Sequence, residues 1–261
     1  MVFSFAHLSQ TKAFNFIIIK SQVKKSVIIV AGGSGSRMGS ELPKQFILLD
    51  NLPVLMWSIL CFINYDPSIF IVVVLPESQI STWKALCLKH DFKYPHQVVK
   101  GGETRFHSVK NGLSSLGETD LVAVHDGVRP LVSEQTIANC FDQAGETGAA
   151  IPVLTMNETI RTGSLQHSET VDRSLFYTVQ TPQVFWLSIL EAAYTQNYNP
   201  SFTDDASVVE QSGFQIRMVM GNRDNIKITH PEDLVVAKEY RSEDTRLNSS
   251  HSDRSRMPSS A

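Results

Sequence analysis

Residues 31 to 39 read Ala-Gly-Gly-Ser-Gly-Ser-Arg-Met-Gly, and Pro43-Lys44-Gln45-Phe46 follows three residues later. Glycines at this density let backbone N–H groups approach a phosphate chain, and successive N–H groups form an anion-binding nest. Arg37 inside the loop and Lys44 just beyond it add two fixed cations. That pairing suits a reaction in which negative charge builds on phosphoryl oxygens. Two familiar loops do not fit. A dinucleotide fingerprint starting at Gly33 needs glycine or alanine where Met38 stands, and the Gly-Lys-Ser/Thr ending of a Walker A loop is absent. The bland alternative is a turn with a surface Arg and Lys. A second polar cluster, His125-Asp126-Gly127, ends an apolar run abruptly. Asp126 there faces a ligand site or closes an Asx turn, and His125 reads as a structural hydrogen-bonder rather than a catalyst.

Positioning such residues takes a frame, and the patterning supplies one. Val27–Ala31, Ile69–Leu75, Leu121–Val124 and Ala149–Leu154 are short, continuous apolar runs, the mark of strands covered on both faces. Val98–Val99 is a briefer one. Between them lie helical stripes: Leu55, Ile59 and Phe62 after Pro53; Ile80, Trp83 and Cys87; Phe106, Val109, Leu113 and Leu116. A further stripe, Ile137, Cys140, Phe141 and Ala144, has Ser133 as its cap and Gly148 past its end. Strands alternating with helices predict an α/β, Rossmann-like, mostly parallel twisted sheet with helices on both faces. Ligands of such sheets sit beyond the carboxyl ends of the strands, where both polar clusters fall. Residues 155–182 break the rhythm and read as an extended hairpin-like arm. Afterwards Thr203 is placed to cap a helix that Gly213 ends. Gln215–Met220 and Asn225–Ile228 read as strands, and Pro231 opens a last helix.

The ends differ from this body, which spans 26–240 as a single domain. Residues 1–25 lack Asp and Glu and carry four lysines, so they read as a loose extension, with an organellar transit peptide as the lesser alternative. Residues 241–261 are rich in Ser, Arg and Asp, look unlike evolved protein and are expected to be disordered. Over the whole chain 42% apolar and 19% charged residues exclude global disorder. A net charge of −3 offers no basic field for nucleic acid, and no apolar run approaches the roughly 20 residues that cross a bilayer. Cys61, Cys87 and Cys140 lack metal-ligand spacing and read as buried, reduced thiols.

The glycine loop with its PKQF continuation resembles the opening signature of the sugar-phosphate nucleotidylyltransferases, specifically the cytidylyltransferases. GGETRFHSV at 101–109, VHDGVRP at 124–130, VDRS at 171–174, QTPQVF at 180–185, TDDASVVE at 203–210 and GNRDNIKIT at 221–229 extend the resemblance in order. Within that superfamily the blocks are most similar to the cytidylyltransferases of methylerythritol phosphate, in the non-mevalonate route to isoprenoids. The resemblance implies a GT-A-like nucleotidyltransferase fold and attack by a substrate phosphate on the α-phosphorus of CTP, releasing pyrophosphate.

By the same resemblance Arg37, Lys44 and Lys227 stabilise the transition state. Ala31, Gly32, Gly33, Gly35, Gly102, Glu103 and Ser108 hold CTP, with Arg105 as a brace in the same loop. Asp126 contacts the ribose or the metal–phosphate assembly, and Arg129, Thr159, Arg173 and Thr181 hold the acceptor. Glu103 stands where related sequences carry Asp, and NETI at 157–160 departs from the commoner Asp-Thr pattern at Thr159. The family arm crosses to a second subunit, implying a homodimer in which Thr159 and Arg173 serve the neighbour's site. Mg²⁺ or another divalent cation is implied because a triphosphate brings roughly four negative charges; it would bind mainly through the phosphates, with no dedicated protein cage and Asp126 as the one candidate protein ligand. A bacterial, cytoplasmic enzyme follows, with plastid import as the alternative. The nearest rival acceptor is ribitol 5-phosphate. An NAD-dependent oxidoreductase or a non-catalytic nucleotide-binding protein is a remoter reading.

Overall fold

In a computed structural model residues 23–32 and 42–254 are described. Residues 1–22, which hold most of the N-terminal extension, lie outside them, as do Gly33, Gly35 and Arg37 and residues 255–261. The body opens with β1 (Lys25–Val30), a turn of 3-10 helix at Lys44–Phe46, and a short hairpin of β2 (Leu48–Leu49) and β3 (Leu52–Pro53). Then α1 (Val54–Tyr65), β4 (Phe70–Leu75), α2 (Glu77–Lys89), β5 (Gln97–Lys100), α3 (Arg105–Leu113) and β6 (Leu121–Asp126) alternate. They are followed by α4 (Glu134–Thr147), β7 (Ala149–Thr155) and an arm made of β8 (Ile160–Gly163) and β9 (Ser168–Val171). The chain returns through β10 (Tyr177–Val179), β11 (Gln183–Trp186), α5 (Leu187–Ala193), α6 (Asp205–Gln211), β12 (Arg217–Met220) and α7 (Pro231–Arg254).

The main sheet runs β10-β7-β11-β6-β1-β4-β5, with β12 also paired to β7. β1 is parallel to β4 and β6, β4 to β5, and β12 to β7, while β10 and β11 run antiparallel. The sheet is thus mostly parallel but mixed. Alternate residues of β1 face opposite cores: Val27 and Ile29 pack with α1, α2 and α4, whereas Ile28 packs with α3, α5 and α6. This two-sided burial is why the strands read as unbroken apolar runs.

Local signals place the helix ends. Ser133 accepts from the Thr136 N–H, and Gly148 takes φ 96° just past α4, a left-handed position that favours glycine. Four expectations change. Asp204, not Thr203, caps α6, because its carboxylate accepts from the Ser207 N–H while Ser207 answers in a capping box. Asn225–Ile228 is not a strand; Ile226 turns back on Asp224 and Ile228 makes a backbone bond to Val128. Cys140 is buried, but Cys61 and Cys87 are only partly so; all three are free, and burial pushes their pKa values up to about 12, 12 and 11 for Cys140, Cys61 and Cys87. The region from 241 is not wholly irregular either, since α7 continues to Arg254. A helix already nucleated propagates cheaply through residues without Gly or Pro. Arg241 also belongs to the body: its guanidinium lies 3.2 Å from the Trp57 ring centroid and 3.2 Å from Asp50.

Candidate active site

β1, β4, β5 and β6 run parallel, and the loops that follow β1, β5 and β6 leave the sheet at one edge. The Ala31 N–H donates to Val74, Gly101 to Leu75 and Gly127 to Val30, so three loops start in fixed register. They bound a cleft of about 330 Å³. Its lining includes Ala31 and Gly32 after β1, Gly102, Glu103, Arg105 and Ser108 after β5 and on α3, and Lys44, Asp126 and Lys227. Nine residues singled out from sequence therefore meet in one place.

Each is held by its element. Lys44 sits in the 3-10 turn and is 9% exposed. Its neighbour Gln45, fully buried, donates from Nε2 to the Ala31 carbonyl at 2.8 Å, tying that turn to the end of β1. Sequence reasoning passed over Gln45, because a buried glutamine leaves no periodic signal. After β5, Thr104 caps α3, and the Gly102 N–H donates to Ser108 Oγ at 3.1 Å. A Cβ at Gly102 would come within 2.4 Å of His107, so the wall is packed tightly there.

Asp126, at the last position of β6, is surrounded by cations. Lys227 Nζ lies 2.9 Å from its carboxylate, Arg129 Nε 3.3 Å and Arg105 Nε 3.8 Å. Burial alone would raise the Asp126 pKa, but Arg105, Lys227 and Arg129 reverse that and hold the carboxyl well below the usual range. Arg129 is further fixed by donating to the Asn225 carbonyl at 2.8 Å.

Beneath Asp126, His125 is fully buried and burial pushes its pKa down to about 4. Its Nε2 lies 3.0 Å from the Arg129 carbonyl, which can only accept, so Nε2 carries the proton. Nδ1 is then left to accept from the Thr181 hydroxyl at 3.2 Å, and that hydroxyl oxygen accepts from the Asp126 N–H at 3.0 Å. His125 is thus a neutral strut, and Thr181 braces the Asp126 backbone.

Thr159 and Arg173 are not in this cleft. Both are exposed on the arm, where Arg173 donates to the Asn157 carbonyl. Arg105 lines the cleft but its tightest partner is Asp205, at 2.6 Å. Neither Asp205 nor Tyr194 was read from the sequence as a site residue, although Asp205 lies in one of the quoted blocks and in the first turn of a predicted helix. For a metal, the cleft offers the carboxylates of Glu103 and Asp126. No cluster of three or more His, Cys, Asp or Glu side chains suited to a metal ion exists among the described residues. Such a set fits a cation that keeps most of its shell from water and substrate phosphates.

The model of the family IspD, 2-C-methyl-D-erythritol 4-phosphate cytidylyltransferase, matches residues 25–243. The enzyme of that name from Bacteroides thetaiotaomicron is 51% identical over 214 residues, covering 82% of this chain and 98% of its own. That from Porphyromonas gingivalis is 49% identical over 216 residues, 82% of this chain and 96% of its own. Among solved structures, 4-diphosphocytidyl-2C-methyl-D-erythritol synthase from Anaerococcus prevotii is similar with a TM-score of 0.72 and 26% identity, covering 84% of this chain and 99% of that one. The 2-C-methyl-D-erythritol 4-phosphate cytidylyltransferase from Thermus thermophilus gives 0.66 and 29%, over 84% and 98%. By both the match over nearly the whole described body and the identity to these relatives, the chain belongs to the 2-C-methyl-D-erythritol 4-phosphate cytidylyltransferase family.

Proposed function

We propose that this chain transfers the cytidylyl group of CTP to the phosphate of 2-C-methyl-D-erythritol 4-phosphate. A phosphate oxygen of the acceptor forms a bond to the α-phosphorus as the bond from that phosphorus to the bridging oxygen breaks. The products are 4-diphosphocytidyl-2-C-methyl-D-erythritol and pyrophosphate. The observation that carries this reading is the meeting of Lys44, Lys227 and Asp126 in one cleft beneath the Ala31–Gly32 loop. The nucleophile is already anionic, so the site needs charge compensation and alignment rather than a general base. His125, held neutral and buried, fits that division of labour.

Lys44 and Lys227 approach the triphosphate from opposite sides, and Arg37 joins them from the glycine loop. Ala31, Gly32, Gly102, Glu103 and Ser108 take the cytidine. Arg129 and Thr181 set the Asp126 end of the acceptor site. Mg²⁺, held by the phosphates and Asp126, would neutralise triphosphate charge when bound. The arm's Thr159 and Arg173, remote from this cleft, would complete the acceptor site of a second copy in a homodimer. Bacterial relatives and a described body with no helix long and apolar enough to cross a membrane support a cytoplasmic place of work.

The test is pyrophosphate release from CTP and Mg²⁺ with methylerythritol 4-phosphate or ribitol 5-phosphate as acceptor and UTP as the donor control. Release with the first acceptor and CTP alone is expected. Release only with ribitol 5-phosphate moves the enzyme to another acceptor class, and silence with both overturns the assignment.

A further inference from the structure

Asp205 and Tyr194 meet at Arg105, which lines the cleft while they do not. Asp205 opens α6 and is completely buried. Its Oδ2 accepts from Arg105 Nη2 at 2.6 Å, and its Oδ1 accepts from the Tyr194 hydroxyl at 2.6 Å. A buried carboxylate is tolerated when both oxygens are satisfied, and here both are taken by donors. The Tyr194 ring also stacks on Phe106, the residue after Arg105, with centroids 4.7 Å apart. The acid and the phenol therefore grip the start of α3 through two adjacent side chains.

The anchor itself is fixed. Gln183 of β11 donates to Asp204 at 2.7 Å and accepts from the Ala206 N–H at 2.9 Å. β11 pairs with β6, which carries Asp126, so α6 is referenced to the same strand that bears the acid of the cleft. Arg105 then spans the gap. Its Nη2 is bonded to Asp205 while its Nε stands 3.8 Å from Asp126. One guanidinium is shared unequally between two carboxylates, one outside the cleft and one inside it.

We propose that Asp205 and Tyr194 are positioning residues for nucleotide binding: through Arg105 they hold the 102–108 wall of the cleft at a fixed distance from Asp126. The inference rests on the CTP reading above. Without the Asp205 charge, Asp126 becomes the nearest anion to Arg105. The guanidinium is drawn toward it, the wall shifts with it, and Lys227 meets a competitor for the same carboxylate.

Calorimetric titration of the full chain with CTP and Mg²⁺ tests this, using Asp205→Asn, Tyr194→Phe, Arg105→Met and the Asp205→Asn/Arg105→Met pair. Asp205→Asn is expected to weaken CTP about tenfold and Tyr194→Phe about threefold, while the pair is no weaker than Arg105→Met alone to within about twofold. That lack of additivity separates positioning through Arg105 from a general loss of stability. Unchanged affinity in both single variants, or losses that add in the pair, would overturn the proposal. If Asp205→Asn does not fold, Tyr194→Phe decides alone, since it removes one hydrogen bond and keeps the ring stack. A wild type that binds no CTP instead overturns the nucleotide reading, a different result from variants that bind as well as wild type.

Discussion

Asp126 shows how few residues decide the chemistry of the cleft. With three cations within 3.8 Å it stays ionised at neutral pH, and it has no proton to give an anionic acceptor. Its partners are not equivalent. Arg105 and Arg129 are tied to other groups, whereas Lys227 is bonded to Asp126 and half-exposed to the cleft, where phosphate can recruit it. Replacing Lys227 with alanine should therefore lower turnover by about 3–4 kcal/mol of transition-state stabilisation, two to three powers of ten, as when other charge-stabilising donors are lost. Melting temperature should barely move, because Asp126 keeps two partners; near-normal turnover in steady-state assays removes Lys227 from the mechanism. His125 gives a pH signature. Its folded pKa of about 4 lies below the unfolded 6.5, so the unfolded chain binds the proton first as pH falls. Stability is full above 6.5 and declines toward 4, by up to about 3 kcal/mol from this residue. Urea midpoints at about pH 7 and about pH 5 should differ in this sense, and His125→Asn, weaker at neutral pH, should flatten the difference. A wild-type midpoint that does not fall with pH sinks the reading.

At the scale of elements, α3 couples packing to the site, since it carries Arg105 and Ser108 on one turn and Gly112 on its buried face. A Cβ at Gly112 would lie 2.7 Å from Ile28 Cγ2 and 3.2 Å from Val74 Cγ2, both fixed in the sheet. Alanine gains about 1 kcal/mol of helix propensity, but overpacking a tight core costs about 1–3 kcal/mol, so Gly112→Ala should be net destabilising. Thermal unfolding should show a lower midpoint, and CTP affinity should fall with it as Ser108 is pushed outward; a raised midpoint contradicts the packing account. Such elements were legible in sequence to the degree that burial wrote a pattern. The run Ile69–Leu75 announces β4 because both its faces are covered. β11 left no comparable run: it is four residues long and follows directly on Thr181-Pro182. Asn225–Ile228 carries alternating apolar residues yet lacks a neighbouring strand, so Ile226 and Ile228 pack under α7 without joining a ladder. Among the site residues, the Ala31–Gly32 start of the glycine loop and Lys44 were readable from type and spacing, whereas Gly102, Arg129 and Lys227 were reached only through the resemblance of their sequence blocks to a family. Gln45, Tyr194 and Asp205 were not, because their importance lies in partners 14, 11 and 100 residues away in sequence.

At the scale of the whole molecule, the arm is a part of the described residues that their own body does not cover. β8 and β9 pair only with each other, and Leu165 is fully exposed on the arm, with Leu175, Phe176 and Tyr177 exposed after it. A lone two-stranded hairpin is marginal in water, so this arm calls for cover that a second copy can supply. The arm also carries Thr159 and Arg173, whereas Lys227 lies in the cleft of the body. If arms are exchanged, each active site is built from two chains, and defects in different parts should complement. Arg173→Ala and Lys227→Ala, each inactive alone, should recover about a quarter of wild-type turnover when co-expressed in equal amounts. Half of the random dimers are mixed, and each mixed dimer assembles one intact site of two. Sedimentation should show a dimer in parallel. If Arg173 instead served its own chain, both variants would spoil their own sites and no mixing ratio would restore turnover.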